Sequence, residues 1–203
     1  MNKNIKRKKF NISLLGESEV GKTRIINYYL GKEIDEINLS TIGIESYMEE
    51  AEFDGEVYKF KIYDTAGQER YRSISKSTIK ISDGFLLVFS VINRESFNRL
   101  DYWLNSIKDI IDIKKKVIIL VGNKIDFENR DISNEEAVIY AKMKDVVYIE
   151  TSAKTGFGIK ELFQKLYQDV YTLYKNNKNK NDDSNDNIEI SNNIKNDKKK
   201  RRC

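Results

Sequence analysis

Short apolar runs alternate with amphipathic stretches along the chain from Phe10 onward. This alternation of strand and helix is typical of a mostly parallel sheet that is covered by helices on both faces. Two of the runs, residues 84–90 and 117–122, are continuously apolar and suit parallel strands that are buried on both sides. Strands are predicted at residues 10–15, 47–53, 58–63, 84–90, 117–122 and 147–150. The pattern predicts a doubly wound α/β fold around a six-stranded sheet.

One pair of these strands is expected to be antiparallel, because Asp54-Gly55 is a tight hairpin signal between the second and third strands. Helices are predicted at residues 22–30, 73–81, 96–111, 134–142 and 159–174. From residue 175 the chain is rich in Asn, Asp and Lys, which cannot bury enough apolar surface to offset the cost of ordering. The expected plan is a basic extension at 1–9, one folded domain at 10–174 and a disordered tether at 175–203.

Composition and charge exclude several classes of protein. The chain of 203 residues contains no histidine, which rules out histidine-based acid–base catalysis and zinc–histidine sites. It has no apolar run of roughly 20 residues and no apolar segment near its start, so a cytoplasmic protein is expected. Residues 1–9 carry five basic groups and no acid, and residues 175–203 carry nine basic and five acidic groups. Basic ends on a mildly acidic body favour an anionic membrane surface, and not a nucleic acid, as the partner.

A phosphate-binding loop is indicated directly after the first strand. Its residues fit the pattern G-x-x-x-x-G-K-[ST] and are Gly16, Glu17, Ser18, Glu19, Val20, Gly21, Lys22 and Thr23. The glycines let backbone N–H groups face the phosphates, Lys22 is placed to neutralise them, and the Thr23 hydroxyl to ligate Mg²⁺. A chance loop before an ordinary surface lysine is the alternative, and the position between a strand and a helix argues against it. The fold is therefore expected to be that of the P-loop NTPases.

A base-reading segment follows the fifth strand. In Asn123-Lys124-Ile125-Asp126, the Asp126 carboxylate can accept from the N1 and N2 hydrogens of guanine, which adenine lacks. The same pattern recurs at residues 179–182 inside the polar tail, where it is interpreted as solvated chain. A solvated loop is also the alternative for the first copy, but only that copy follows a buried strand. The predicted ligand is GTP or GDP.

A third segment of candidate residues ends the third strand. Asp64 is placed there to hold Mg²⁺, and the N–H of Gly67 to meet the γ-phosphate. Gln68 is placed to orient the attacking water and is the candidate catalytic residue. A strand-end turn with a buried aspartate is the alternative.

These motifs, together with Thr151-Ser152-Ala153-Lys154, resemble those of Ras-superfamily small GTPases in kind and order over residues 10 to about 174. Residues 40–43 and 68–72 look like the Rab branch, and residues 84–90 look like the Ras branch. The resemblance implies that Thr41 ligates Mg²⁺ when the γ-phosphate is present. It also implies that the guanine is surrounded by Ser152, Ala153 and Lys154, with the Ala153 N–H donating to O6.

The resemblance implies a Rab-like GTP/GDP switch of vesicle traffic that hydrolyses GTP slowly and acts as a monomer. Exchange factors, GTPase-activating proteins and effectors would bind switch I at 34–47 and switch II at 64–80. Ile34 stands where the family has an aromatic ring against the guanine, and Glu19 where it has a small residue. These departures keep a pseudo-GTPase scaffold open, and a Ras-branch signalling GTPase is a further alternative. A P-loop kinase or ATPase is disfavoured by Asp126.

Five cations, Lys198 to Arg202, precede Cys203. Rab proteins are commonly prenylated on cysteines near their ends, although the three residues of a C-a-a-X signal do not follow Cys203 here. A lipid on Cys203 and the polybasic patch would together anchor the protein peripherally to the cytosolic face of an intracellular membrane. An unmodified, solvated basic tail is the alternative.

Overall fold

Six strands form the central sheet, in the order β2-β3-β1-β4-β5-β6. In this computed structural model they are β1 (Lys9–Leu15), β2 (Ile44–Phe53), β3 (Glu56–Thr65), β4 (Gly84–Ser90), β5 (Val117–Asn123) and β6 (Val147–Glu150). The structure describes residues 8–32, 44–65 and 72–200. Neighbouring strands pair in parallel except for β2 and β3, which pair antiparallel at one edge. The predicted sheet and its one antiparallel pair are confirmed.

The turn between β2 and β3 explains that antiparallel pair. Asp54 and Gly55 have φ values of 52° and 77°. Positive φ at both central residues is the backbone geometry of a type I′ turn, whose twist matches that of the two strands it joins. The Asp-Gly pair therefore directs the chain back along its own edge.

The helices are α1 (Lys22–Tyr29), α2 (Arg72–Ile81), α3 (Arg94–Asn98), α4 (Leu100–Lys108), α5 (Asn134–Lys144) and α6 (Ile159–Lys200), with a short 3₁₀ helix at Ile113–Lys115. The single helix predicted at 96–111 is in fact two, α3 and α4, separated at Arg99. Helix α3 begins earlier than predicted because the Asn93 side chain caps it, accepting a hydrogen bond from the Ser96 N–H at 3.0 Å.

Helix α6 begins at Ile159 as predicted, but the predicted end at residue 174 is wrong. The helix continues to Lys200, and neither glycine nor proline occurs between these two residues to end it. The chain divides into two units, Met1–Val170 and Tyr171–Cys203. The limits of the three predicted segments and the tethering role of the last remain predictions. No helix in the described part of the chain combines the length and apolar character of a membrane span.

Apolar side chains pack on both faces of the sheet. All seven residues of β4 are buried. One face packs against Trp103, Leu104 and Ile107 of α4 and Ala137 of α5. On the other, Gly84 comes so close to α6 that a Cβ there would lie 3.0 Å from Val170 Cγ2. Helices on both faces, as predicted, leave the loops after the carboxyl ends of the strands free to form a site.

Candidate functional site

The loop between β1 and α1 has a backbone that requires its two glycines. Gly16 and Gly21 have φ values of +145° and +99°. A Cβ on Gly16 would lie 2.1 Å from the Val88 carbonyl oxygen, and one on Gly21 would lie 2.3 Å from Asn123 Nδ2. The loop is thus packed against β4 and the end of β5, in the strand–loop–helix setting that the sequence motif requires.

Lys22 lies inside this loop, with 5% of its surface exposed. Its Nζ donates to the carbonyl oxygens of Gly16 at 2.9 Å and Glu17 at 2.7 Å. Burial lowers the pKa of the Lys22 ammonium to about 8, although the charges of Asp64 and Glu17 act in the opposite direction. A buried cation that is held by carbonyl oxygens of the loop is well placed to bind an anion.

Asp64, at the carboxyl-terminal end of β3, faces the start of α1. The Thr23 hydroxyl donates to Asp64 Oδ2 at 2.6 Å, whereas the buried Oδ1 has no hydrogen-bond partner among the described residues. Burial raises the pKa of Asp64, against the opposing effects of the Thr23 hydrogen bond and the Lys22 charge. A buried carboxylate oxygen without a partner, next to a hydroxyl, fits a Mg²⁺ ion, which binds few protein oxygens and completes its shell with water and phosphate.

Asn123, at the end of β5, joins the phosphate loop to the loop after β6. Only 1% of Asn123 is exposed. Its Nδ2 donates to the Val20 carbonyl oxygen at 2.8 Å, and its Oδ1 accepts from the Thr151 hydroxyl at 3.2 Å and the Ala153 N–H at 3.1 Å. The Ala153 N–H, which the resemblance assigns to guanine O6, therefore already has a partner within the protein, and its donation to O6 remains a prediction.

Asp126 is linked to the same loop. Its Oδ1 accepts from the Ser152 hydroxyl at 2.7 Å, and the Ser152 Oγ in turn accepts from the N–H groups of Lys154 at 3.3 Å and Thr155 at 3.1 Å. Lys124, between Asn123 and Asp126, has a φ of 70°. The loops after β5 and β6 thus form one hydrogen-bonded unit around the Asp126 carboxylate.

The two acidic residues of the phosphate loop act on groups that the sequence motif does not reveal. The Glu17 carboxylate accepts from the Trp103 indole N–H at 3.1 Å and lies 3.9 Å from the Arg99 Nε. Glu19 is exposed at a φ of 62°, and its charge acts on Lys124, opposing the lowering of the Lys124 pKa by burial. No local sequence signal reveals these contacts, because Arg99 and Trp103 are remote from Glu17 in the chain.

The structure therefore brings together the phosphate loop, Asp64, Asn123, Asp126 and the loop after β6. Five predicted site residues lie outside the described part of the chain: Ile34, Thr41, Gly67, Gln68 and Cys203. Residues 34–43 of switch I and 66–71 of switch II, including Tyr71, also lie there. The roles assigned to these residues remain predictions.

The strand order and the loop around Lys22 define the class of the protein as a P-loop nucleotide-binding protein. The sequence model of the Ras family matches residues 11–172. The chain is 35% identical over 159 residues to the Ras-related protein Rab-18 of Lymnaea stagnalis, covering 78% of this chain and 79% of that protein. It is 35% identical over 159 residues to the Ras-related protein Rab-18-B of Danio rerio, with 78% of each chain covered. Identity to the Ras-related protein YPTC6 of Chlamydomonas reinhardtii is 34% over 165 residues, covering 81% and 76% of the two chains.

The chain belongs to the Ras family, as a Rab-like small GTPase that hydrolyses GTP to GDP and phosphate. The predicted family and enzyme activity are confirmed. Ras-family GTPases bind GTP and GDP, and Mg²⁺ is general for the family.

Proposed function

We propose that this chain is a switch of intracellular vesicle traffic that uses its described loops to hold Mg²⁺ and a guanine nucleotide. The observation that carries the proposal is the group formed by the buried Lys22 and Asp64 and the half-buried Thr23. There an ammonium, a hydroxyl and a carboxylate oxygen that has no hydrogen-bond partner among the described residues lie together at the carboxyl edge of the sheet. This arrangement suits a phosphate chain with its metal ion.

At the phosphate end, Lys22 neutralises oxygens of the β- and γ-phosphates while the backbone N–H groups of the loop face them. Thr23 and Asp64 would hold Mg²⁺, Asp64 through water, and Thr41 would join them when the γ-phosphate is present. The ion would supply charge neutralisation across the phosphates. The Gly67 N–H would contact the γ-phosphate, and Gln68 would orient the attacking water.

At the base end, Asp126 is held by Ser152 at 2.7 Å and presents a carboxylate to the N1 and N2 hydrogens of guanine. Ile34 and Lys154 would lie beside the base. Glu19 is proposed to contribute little repulsion toward the phosphates, because it is exposed and its charge acts on Lys124.

Hydrolysis is expected to be slow without a partner, because no arginine motif in the sequence indicates an internal finger. Exchange factors, GTPase-activating proteins and effectors are proposed to bind through residues 34–47 and 64–80. Through Cys203 and the basic patch before it, the monomer would attach to the cytosolic face of an intracellular membrane.

The base-reading role is tested by Asp126→Asn. Xanthine has a carbonyl where guanine has its 2-amino group, so an amide at position 126 can donate where the carboxylate accepted. The variant should lose affinity for GDP and gain affinity for xanthosine diphosphate, as measured by competition against a fluorescent nucleotide. Asp131→Asn, a change of the same kind in the surface loop before α5, is the control and should leave both affinities unchanged. An equal loss of both affinities in Asp126→Asn would remove the proposed role.

A further inference from the structure

The phosphate end and the base end of the site are joined by Asn123, and a second link between them lies at the surface. Tyr28 is in the last turn of α1, the helix that starts with Lys22. Its hydroxyl donates to the carbonyl oxygen of Thr155 at 3.2 Å, although the two residues are 127 positions apart. Thr155 directly follows the segment Ser152–Lys154, which is predicted to surround the guanine. Tyr28 thus connects the helix of the phosphate loop to the loop after β6.

The ring of Tyr28 also lies directly against Gly156. A Cβ on Gly156 would lie 1.9 Å from the Tyr28 hydroxyl oxygen and 2.1 Å from its Cζ. Gly156 has a φ of +87°, and its N–H closes a turn by donating to the Ser152 carbonyl oxygen at 2.8 Å. The Tyr28 ring therefore rests on a closed turn and fills the space that a side chain on Gly156 would occupy.

Tyr28 is poorly explained as a core residue, because 40% of its surface is exposed. A half-exposed ring gains little from burial compared with a fully buried one. What distinguishes its position is the turn that it contacts, because that turn continues to the carboxylate of Asp126. Thr155 N–H donates to Ser152 Oγ at 3.1 Å, and the Ser152 hydroxyl donates to Asp126 Oδ1 at 2.7 Å.

We propose that Tyr28 is a positioning residue for guanine recognition, holding Thr155 and Gly156 so that Ser152 keeps the Asp126 carboxylate aligned. This inference rests on the proposed guanine site. It predicts a defined loss when the Tyr28 side chain is removed: the loop after β6 loosens, while Lys22 and Asp64 at the phosphate end stay in place. Recognition of the base should then fall more than recognition of the phosphates.

Inosine diphosphate separates these two effects, because it keeps the phosphates and the N1 hydrogen of GDP but lacks the 2-amino group. The preference for GDP over inosine diphosphate therefore reports how well Asp126 is aligned with that group. With the full chain, affinities for both nucleotides would be measured for the parent, Tyr28→Phe and Tyr28→Ala. The control is Tyr140→Phe, which removes the hydroxyl that donates to Asp101 at 3.0 Å, between α5 and α4.

Tyr28→Phe removes only the hydrogen bond and should weaken GDP binding about threefold, whereas Tyr28→Ala also removes the ring contact and should weaken it about tenfold. Affinity for inosine diphosphate should fall less. The ratio of GDP affinity to inosine diphosphate affinity should therefore decrease in Tyr28→Phe and decrease further in Tyr28→Ala. Tyr140→Phe should change neither affinity. Equal losses for the two nucleotides, or no loss in Tyr28→Ala, would overturn the positioning role. A parent that does not prefer GDP over inosine diphosphate would overturn the guanine site itself, and the inference with it.

A double-mutant cycle tests the ring contact directly. Gly156→Ala adds a methyl group that displaces the Tyr28 ring, and the strain of alanine at a φ of +87° is the same whether or not the ring is present. Gly156→Ala should therefore weaken GDP binding more in the parent than in Tyr28→Ala. Equal effects in both backgrounds would show that the ring does not hold the loop.

Discussion

The only tryptophan of the chain contacts the phosphate loop, which gives this site a built-in reporter. Trp103 is 6% exposed, and its indole N–H donates to the Glu17 carboxylate at 3.1 Å. Glu17 also supplies the carbonyl oxygen that holds the Lys22 ammonium at 2.7 Å. Glu17 therefore links the phosphate loop around Lys22 directly to the indole of Trp103.

Chelation of Mg²⁺, followed by dissociation of the nucleotide, should shift the emission of Trp103, because the hydrogen bond to Glu17 changes when the loop loses its anion. Glu17→Gln keeps the size of the side chain and removes its charge, so its response should be smaller. The measurement is the emission spectrum before and after chelation, with released nucleotide quantified in the same sample. An identical spectral change in Glu17→Gln would show that the indole responds to something other than this contact.

At the scale of elements, the close packing of α6 on β4 is possible because position 84 is a glycine. A Cβ there would lie 2.9 Å from Ile12 Cδ1, 3.0 Å from Val170 Cγ2 and 3.2 Å from Leu166 Cδ1. All three distances are tighter than ordinary packing allows, so a methyl group would force side chains out of their rotamers.

Gly84→Ala should therefore lower the free energy of unfolding by about 1–3 kcal/mol, as measured by urea denaturation. Ile12→Val removes the Cδ1 atom nearest to the added methyl group. The double variant should consequently lose less stability than the sum of the two single variants. Simple additivity would mean that the methyl group is accommodated elsewhere and that this contact does not limit how closely α6 approaches.

Local sequence signals predicted the strands, most helix starts and the three loop motifs, because each depends on residues that are close in the chain. The division between α3 and α4 at Arg99 was not predicted, because the apolar pattern at 96–111 is typical of one continuous helix. The end of α6 was not predicted either, because the polar composition after residue 174 indicated disorder. The helix instead continues to Lys200, and no glycine or proline interrupts it. The Trp103–Glu17 and Tyr28–Thr155 contacts join residues 86 and 127 positions apart, so only the assembled sheet reveals them.

At the scale of the whole molecule, the proposed membrane attachment depends on a lipid and on charge acting together. Cys203→Ser should leave the protein unattached in its native cell, because one polybasic patch is a single and salt-sensitive signal. Glutamine at the five basic positions from Lys198 to Arg202 should weaken attachment while leaving Cys203 available. The measurement is membrane fractionation at low and high salt, with the mass of the peptide that contains Cys203 as a direct test of the lipid.

Nucleotide affinity is the control for both tail variants and should equal that of the parent, because the changes lie outside the Ras-family match at residues 11–172. A free Cys203 thiol on protein from its native cell would remove the lipid half of the proposal. Attachment that is unchanged in Cys203→Ser would have the same effect.

Single-turnover hydrolysis of preloaded GTP tests the proposed switch most directly, with Gln68→Leu measured beside the parent. The parent should convert bound GTP to GDP slowly, and Gln68→Leu should bind GTP equally well but hydrolyse it more slowly, because only the positioning of water is lost. ATP in the same assay should be neither retained nor hydrolysed. A parent that leaves bound GTP intact, or a variant that hydrolyses it at the parent's rate, would contradict the proposed mechanism.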